Sequence, residues 1–328
     1  MRNMTKSPAI SVVIATRDRP AQLARLLHCV KDQDFSNFEC IVVDDASSDQ
    51  TLHLYEELWR ELDARFILLR QESGAKGPSF SRNKGIRAAL APFVAFCDDD
   101  DMWTRRDHLS CALDALIAHG ADFFFANMRT SRNGEVLGAD FYGRIRHILT
   151  RTILSDGVFE VAPKERAAAM QHIFIHCNSM VVSRHLLHSA GLYWEKLFMA
   201  EDRDFALRLL DRAKRVVYRD EVVADYDRTA IAGLCKSYTE DEIRSFVILA
   251  MLHAETQMND TQLLAVARGY RAWMLYELAQ SARQEGRQAE ARELALQSVL
   301  LRPTLAALKQ LLSLRLYRAP RLAEGRAR

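Results

Sequence analysis

Between Ile10 and about Asn127 the chain alternates apolar runs with stretches of helical period. ISVVIA (10–15) is a continuous apolar run, the mark of a strand buried on both faces. Pro20 suits the first turn of a helix, and Leu23, Leu26, Leu27 and Val30 recur at i, i+3, i+4 and i+7. CIVVDDASSDQT then reads as a strand ending in a polar turn, followed by helical spacing from Leu52 to Leu62. RFILL, the Ser/Gly-rich ESGAKGPSFS, a helix through about Leu90 and PFVAFC repeat the unit. This alternation predicts an α/β fold with a mostly parallel sheet flanked by helices. Ligands of such sheets bind beyond the carboxyl ends of strands, where both VVDD and FCDDDD fall.

Residues 128–170 are less regular, with Gly134, Gly138, Gly143 and Gly157 interrupting any long element, and read as an insert with surface loops. A further strand is expected over HIFIHCNSMVVS (His172 to Ser183), then a loop feeding a helix that begins near Glu201. From about Tyr238 strand signals vanish and helical periodicity takes over, which places a boundary near residue 235. The expected domains are 1–235, with halves 1–127 and 128–235, and an all-helical C-terminal extension over 236–328. Within that extension GRQAEARELALQSVLLRP (Gly286 to Pro303) weakly matches the second half of a tetratricopeptide repeat. An ordinary helical hairpin packed on the first domain fits it as well.

A chain of 328 residues, about half apolar, can bury one large core with an appendage. Its net charge of +2 with 27% charged residues gives no global electrostatic reason to expect a nucleic acid partner. The six cysteines (Cys29, Cys40, Cys97, Cys111, Cys177, Cys235) contain no C-x-x-C pair and read as small core residues of a reducing compartment. The N-terminal apolar run is too short for a signal peptide and no segment reaches membrane-span length, so a cytoplasmic protein is expected, at most peripheral to the membrane's inner face.

Three acidic constellations carry candidate chemistry. In an extended chain Asp98 and Asp100 would point to one side of the strand end, a hard oxygen site suited to Mg2+ or Mn2+ and to a diphosphate. Alternatively, Asp100 and Asp101 would cap a helix starting at Arg105. Asp44 and Asp45 end a second strand, where a carboxylate can accept from a nucleotide's base or ribose or serve only as a turn residue. Glu201, Asp202 and Asp204 cluster at a helix start whose dipole favours the ionised carboxylate a general base needs.

ISVVIATRDRPAQLARLLHCVKDQDFSNFECIVVDDASSDQT resembles the opening of family 2 inverting glycosyltransferases, and FSRNKGIRAALAPFVAFCDDDDMW resembles their segment through the D-x-D motif. HLLHSAGLYWEKLFMAEDRDFALRLL is similar to the later segment whose E-D pair contains the base, so the resemblance covers about Ile10 to Arg228. It implies a GT-A type fold and a metal-dependent inverting transfer from a nucleotide sugar, UDP-linked on the strength of D-x-D, to a hydroxyl acceptor. The acceptor class it implies is a sugar or lipid-linked hydroxyl in surface polysaccharide or glycoconjugate synthesis. Position by position it assigns Asp45 to the base, Ala15, Thr16 and Asp18 to the nucleoside pocket, and Arg82, Asn83, Asp98 and Asp99 to the rest of the nucleotide sugar. Asp98 and Asp100 become metal ligands, Asp202 the general base and Glu201 an orienting residue. Three positions depart from the pattern: Arg17 and Asp18 replace an aromatic and an Asn, and Ser81 replaces the Ala of A-R-N.

His176 and Asn178 are candidate acceptor contacts or satisfied core residues, and Trp103 and Trp194 could stack on sugar rings. The basic C-terminal RLYRAPRLAEGRAR would dock on anionic lipid or remain solvated. A dinucleotide oxidoreductase and a sugar nucleotidyltransferase both want a glycine-rich loop after the first strand, and ATRDRPAQL has none. A non-catalytic nucleotide-sugar-binding or helical interaction protein would not depend on Asp100 or Asp202.

Overall fold

A computed structural model describes residues 7–72, 74–229 and 238–315. Cys235, the expected boundary near 235 and residues 316–328 of the basic stretch lie outside the described residues. Apolar runs become β1 (Ile10–Thr16), β2 (Phe38–Asp44), β3 (Phe66–Arg70) and β4 (Phe93–Phe96), parallel and ordered β3-β2-β1-β4. The remaining strands are β5 (Met102–Trp103), β6 (Phe123–Arg132), β7 (Glu135–Gly138), β8 (Thr152–Ser155), β9 (Val158–Glu160), β10 (Met180–Ser183) and β11 (Val216–Asp227). Antiparallel β10 joins β4 to β6, and the sheet continues β6-β11-β9-β8. The sheet is therefore mixed, and parallel across its β3-β2-β1-β4 end.

Four helices follow the first strands: α1 (Pro20–Lys31), α2 (Asp49–Arg60), α3 (Pro78–Ala88) and α4 (His108–Ala118). Leu23, Leu26, Leu27 and Val30 are the buried face of α1, as their spacing requires. Gly85 lets α3 lie directly on β1, since a Cβ there would sit 2.5 Å from Val13 Cγ1. The later helices are α5 (Arg146–Leu149), α6 (Pro163–Met170), α7 (Arg184–Ser189) and α8 (Glu201–Arg212), then α9 (Glu240–Gln257), α10 (Thr261–Gln284), α11 (Gln288–Leu301) and α12 (Leu305–Arg315).

Apolar clusters cover both sheet faces. One gathers Val12, Ile14, Val42 and Ala95 with the α1 leucines. The other gathers Val13, Val43 and Phe96 and continues into Ala250, Met251 and Ala254 of α9 and Leu263, Val266 and Ala267 of α10. The helical extension thus starts as part of the main core, while Ala279, Ala282, Ala291 and Ala295 of α10 and α11 form a smaller cluster with α12. Gly286, at φ +78°, turns α10 into α11.

Three local expectations are corrected. Only Met180–Ser183 of the segment from His172 to Ser183 is strand, because the His176 imidazole accepts from the Asn178 backbone and turns Cys177–Ser179 into a 3-10 helix. Residues 128–170 hold two hairpins, β6-β7 and β8-β9, with Gly134 and Gly157 at positive φ in their turns. The fourth helix begins at His108 with Asp107 as N-cap, so neither Asp100 nor Asp101 caps it.

Buried His108 packs against Trp103 and Phe124 with neither ring nitrogen hydrogen-bonded among the described residues. Burial, with the nearby Arg219 cation, pushes its pKa down to about 3. A depressed folded pKa means its contribution is fully present above the ordinary value of about 6.5 and is lost as pH falls toward the folded value. Stability should therefore decline by up to about 1.4 kcal/mol per pH unit over that window. His108→Phe should remove this component, which urea titrations at several acid pH values would read.

Candidate active site

The carboxyl ends of β1, β2 and β4 and the start of α8 open onto one cleft of about 670 Å³. Ala15, Thr16, Asp45, Arg82, Asp98, Asp99, Asp100, His176, Glu201 and Asp202 line it. The four consecutive carboxylates follow the end of β4 in a turn, closed by the Asp101 amide donating to the Asp98 carbonyl at 3.1 Å. This turn, and not the alternation of an extended chain, brings carboxylate oxygens of Asp98, Asp100 and Asp101 within 4.8 Å of one another.

Two arginines counter this density of negative charge. Arg19 Nη1 donates to Asp99 Oδ1 at 2.8 Å and to Asp100 Oδ2 at 2.7 Å. Arg82, 4% exposed, donates to Asp98 Oδ1 at 2.5 Å and to Glu201 Oε1 at 2.9 Å. Burial would raise Asp98, but Arg82 and His176 outweigh it and hold its pKa near 2. Burial, offset in part by Arg19, pushes Asp99 up to about 6, and burial plus repulsion from Asp98 raises Asp100. Asp101 is raised further by burial and its neighbours, and it fastens the turn by accepting from Asn178 Nδ2 and the Asp227 amide, each at 2.8 Å.

Asp202 sits in the first turn of α8 after Ala200, whose φ is +61°. It is 8% exposed, its Oδ1 is buried without a hydrogen-bond partner among the described residues, and its Oδ2 is 3.9 Å from His176 Nε2. The same imidazole nitrogen lies 3.8 Å from Asp98 Oδ2, and the ring packs on Tyr226 at 4.4 Å. His176 therefore stands between the D-x-D turn and α8. Burial, against the pull of Arg82, raises Glu201.

Other sequence candidates are engaged in structural bonds or packing, Asp45 while still lining the cleft. Asp45 accepts the backbone amides of Lys76 and Gly77 at 2.9 and 2.8 Å, holding that loop over the cleft. Asp18 accepts from the Ser48 amide and from the hydroxyls of Ser48 and Thr51, which fastens the β1 loop to α2 and keeps it out of the cleft lining. Asn83 is buried and bonded to the Tyr193 backbone on both sides and to Glu195, so its amide anchors the 193–195 loop. Trp103, 4% exposed, donates to the Asn178 carbonyl and packs on His108, which removes it from any sugar. One face of Trp194 is covered by His253 of α9 at 4.2 Å, and neither tryptophan lines the cleft. Asp204 likewise points into the protein, bonded to His253 and Arg208.

The sequence reading missed Arg19, Phe198, Arg203 and Tyr226, all in the cleft lining. Only Arg19 carried a signal, as a cation just past β1 positioned to neutralise acids beyond the neighbouring strand β4. For a metal, Asp98 and Asp100 supply accessible carboxylate oxygens, and their mutual repulsion is what a cation relieves. Burial, then Asp202 and Asp98, push the adjacent Cys177 thiol well above its ordinary range, while the two carboxylates are donors suited to a hard cation.

Residues 11–164 match the sequence model of the family described as Glycosyl transferase family 2. The GalNAc(5)-diNAcBac-PP-undecaprenol beta-1,3-glucosyltransferase of Campylobacter jejuni is 32% identical over 140 residues, 42% of this chain and 43% of that protein. The poly(ribitol-phosphate) beta-N-acetylglucosaminyltransferase TarS of Staphylococcus aureus is 27% identical over 209 residues, 63% of this chain and 33% of TarS. The aligned stretches thus span less than half the length of both relatives. The crystal structure of TarS 1–349 with UDP-GlcNAc superposes with a TM-score of 0.61 at 20% identity, covering 93% of this chain and 79% of that one, a likeness of fold.

Proposed function

We propose, from the premise that residues 11–164 carry a family 2 glycosyltransferase domain, that this cleft transfers a sugar from a nucleotide sugar to an acceptor hydroxyl with inversion. One observation carries the reading. The D-x-D turn and Asp202, about a hundred residues apart in sequence, meet in a single cleft, and Asp202 keeps a buried carboxylate oxygen without a partner among the described residues.

Asp98 and Asp100 would hold Mn2+ or Mg2+, which when bound would offset the charge growing on the departing diphosphate. Arg19 and Arg82 hold the acidic turn in place, and Arg82, with His176, keeps Asp98 ionised. Asp202 takes the acceptor's proton as its oxygen forms a bond to the anomeric carbon, while the bond from that carbon to the phosphate oxygen breaks on the opposite face. A single displacement of this kind inverts the configuration.

UDP-GlcNAc in the TarS crystal supports a uridine donor, and the relatives' names support a lipid-linked or phosphate-bearing acceptor in glycoconjugate synthesis. Peripheral membrane association follows from such an acceptor; among the described residues no helix is long and apolar enough to cross a membrane.

A panel of nucleotide sugars screened by thermal shift with and without Mn2+ tests the donor, since a ligand of the native state raises apparent stability. Asp100→Ala should abolish the metal-dependent part of donor affinity, a loss of about tenfold or more. Calorimetry of UDP with Mn2+ and with EDTA checks this. Undiminished metal-dependent binding in the variant would contradict the assignment.

A further inference from the structure

We infer that a second pocket, between the acceptor-side half of the sheet domain and the helical extension, binds a phosphate or diphosphate group of the acceptor. This pocket of about 1050 Å³ is lined by Arg144, His172, Arg203, Arg268 and Arg302 and, among the described residues, by no carboxylate. Arg268 has Glu255 at 3.5 Å, but among the described residues Arg144, Arg203 and Arg302 have no carboxylate within ion-pair distance. Four guanidinium groups around one cavity repel one another, and an anion entering it relieves that repulsion. Guanidinium forks match phosphate oxygens in both charge and geometry.

Arg203 is held in place, and Arg302 packs against the helix backbone. Arg203 lies between two rings, its Cζ 4.6 Å from the Phe174 centroid and 5.2 Å from that of Tyr270. The Tyr270 hydroxyl donates to the Ile173 carbonyl at 3.3 Å, tying α10 to the sheet domain at this point. Arg302 packs over Gly269, where a Cβ would stand 2.9 Å from its Nη1. Any larger residue at 269 would push that guanidinium aside.

The pocket's position gives it a role. Phe174 and Arg203 line both this pocket and the catalytic cleft, and Arg203 directly follows Asp202. An acceptor whose hydroxyl reaches Asp202 would place a phosphate a short distance along its length among the arginines. Trp273, 55% exposed at the rim, offers a ring face to the part that leaves the protein. The same phosphate chemistry can come from a polyprenyl diphosphate sugar or from a polyol phosphate polymer.

The consequence for turnover rests on the transferase reading; the binding does not. Inorganic pyrophosphate is titrated into the full chain already saturated with UDP and Mn2+, so that the catalytic cleft is filled. The expected result is saturable binding that weakens about tenfold or more in Arg144→Ser/Arg302→Ser and in Gly269→Leu, the scale of losing charge-assisted hydrogen bonds, and is partly kept in Arg144→Lys/Arg302→Lys. In transfer assays the same variants should raise the acceptor KM about tenfold for a short-chain polyprenyl diphosphate sugar or for a polyol phosphate oligomer, whichever is used, and leave the KM of a phosphate-free acceptor alone. Pyrophosphate binding lost in the variants without transfer in any assay would sink the transferase reading and keep the pocket. Transfer with equal phosphate affinity in native and variant proteins would overturn the pocket and keep the transferase.

Discussion

Asp202→Asn should cost turnover about a hundredfold or more, the usual scale for loss of a general base, while UDP-sugar affinity stays close to that of the native chain. The substitution preserves size and leaves Oδ2's neighbour His176 in place, 3.9 Å away. What it removes is the capacity to accept a proton at a position whose Oδ1 has no partner among the described residues. An amide there either presents an oxygen too weakly basic to take the proton or turns an N–H toward the acceptor hydroxyl. Because Asp202 makes no hydrogen bond to Arg19, Arg82 or the D-x-D turn among the described residues, donor binding should not depend on it. Steady-state rates with calorimetric donor titration separate the two quantities. Turnover within a few fold of native would remove Asp202 from the base's role, and loss of donor binding would make it a structural residue of the cleft.

The alternation of apolar runs with helical spacing was enough to read β1 to β4 and α1 to α3, because strands buried on both faces and helices buried on one leave different periods. The carboxyl ends of those strands were legible for the same reason, and with them the location of Asp45 and the acidic turn. What each side chain does there was not. Asp99 and Asp101 share a composition with Asp98 and Asp100, yet Thr16 and Arg19 take the first and Asn178 and Asp227 the second. Those partners lie far along the chain, so no local pattern marks them. Trp103 misled for a similar reason: adjacency to the carboxylates in sequence suggested a ligand contact, but its strand pairs with β11 and carries the ring into the core. The arginine pocket was invisible because its cations come from segments as distant as Arg144 and Arg302.

Arg82→Met should destabilise the fold by about 3 to 5 kcal/mol, the range seen when one member of a buried ion pair is removed and the other is left behind. Arg82 is nearly fully buried and serves two acids at once, Asp98 from the D-x-D turn and Glu201 from α8, while its guanidinium also lies 5.2 Å from the Tyr193 ring centroid. Methionine fills similar apolar volume, so the packing lost is small and the uncompensated carboxylates dominate. Glu201, raised already by burial with Arg82 present, would take up a proton first, and Asp98 would lose the cation that holds it near 2. Urea unfolding in EDTA reads the effect without a metal ion to mask it, through a lower midpoint at similar slope. The electrostatic origin is separable from packing: adding Glu201→Gln to Arg82→Met should recover part of the lost stability, because one stranded charge is gone. Were the double variant no more stable than the single one, the guanidinium's role would be steric, and the D-x-D turn would owe its position to the surrounding core and not to charge.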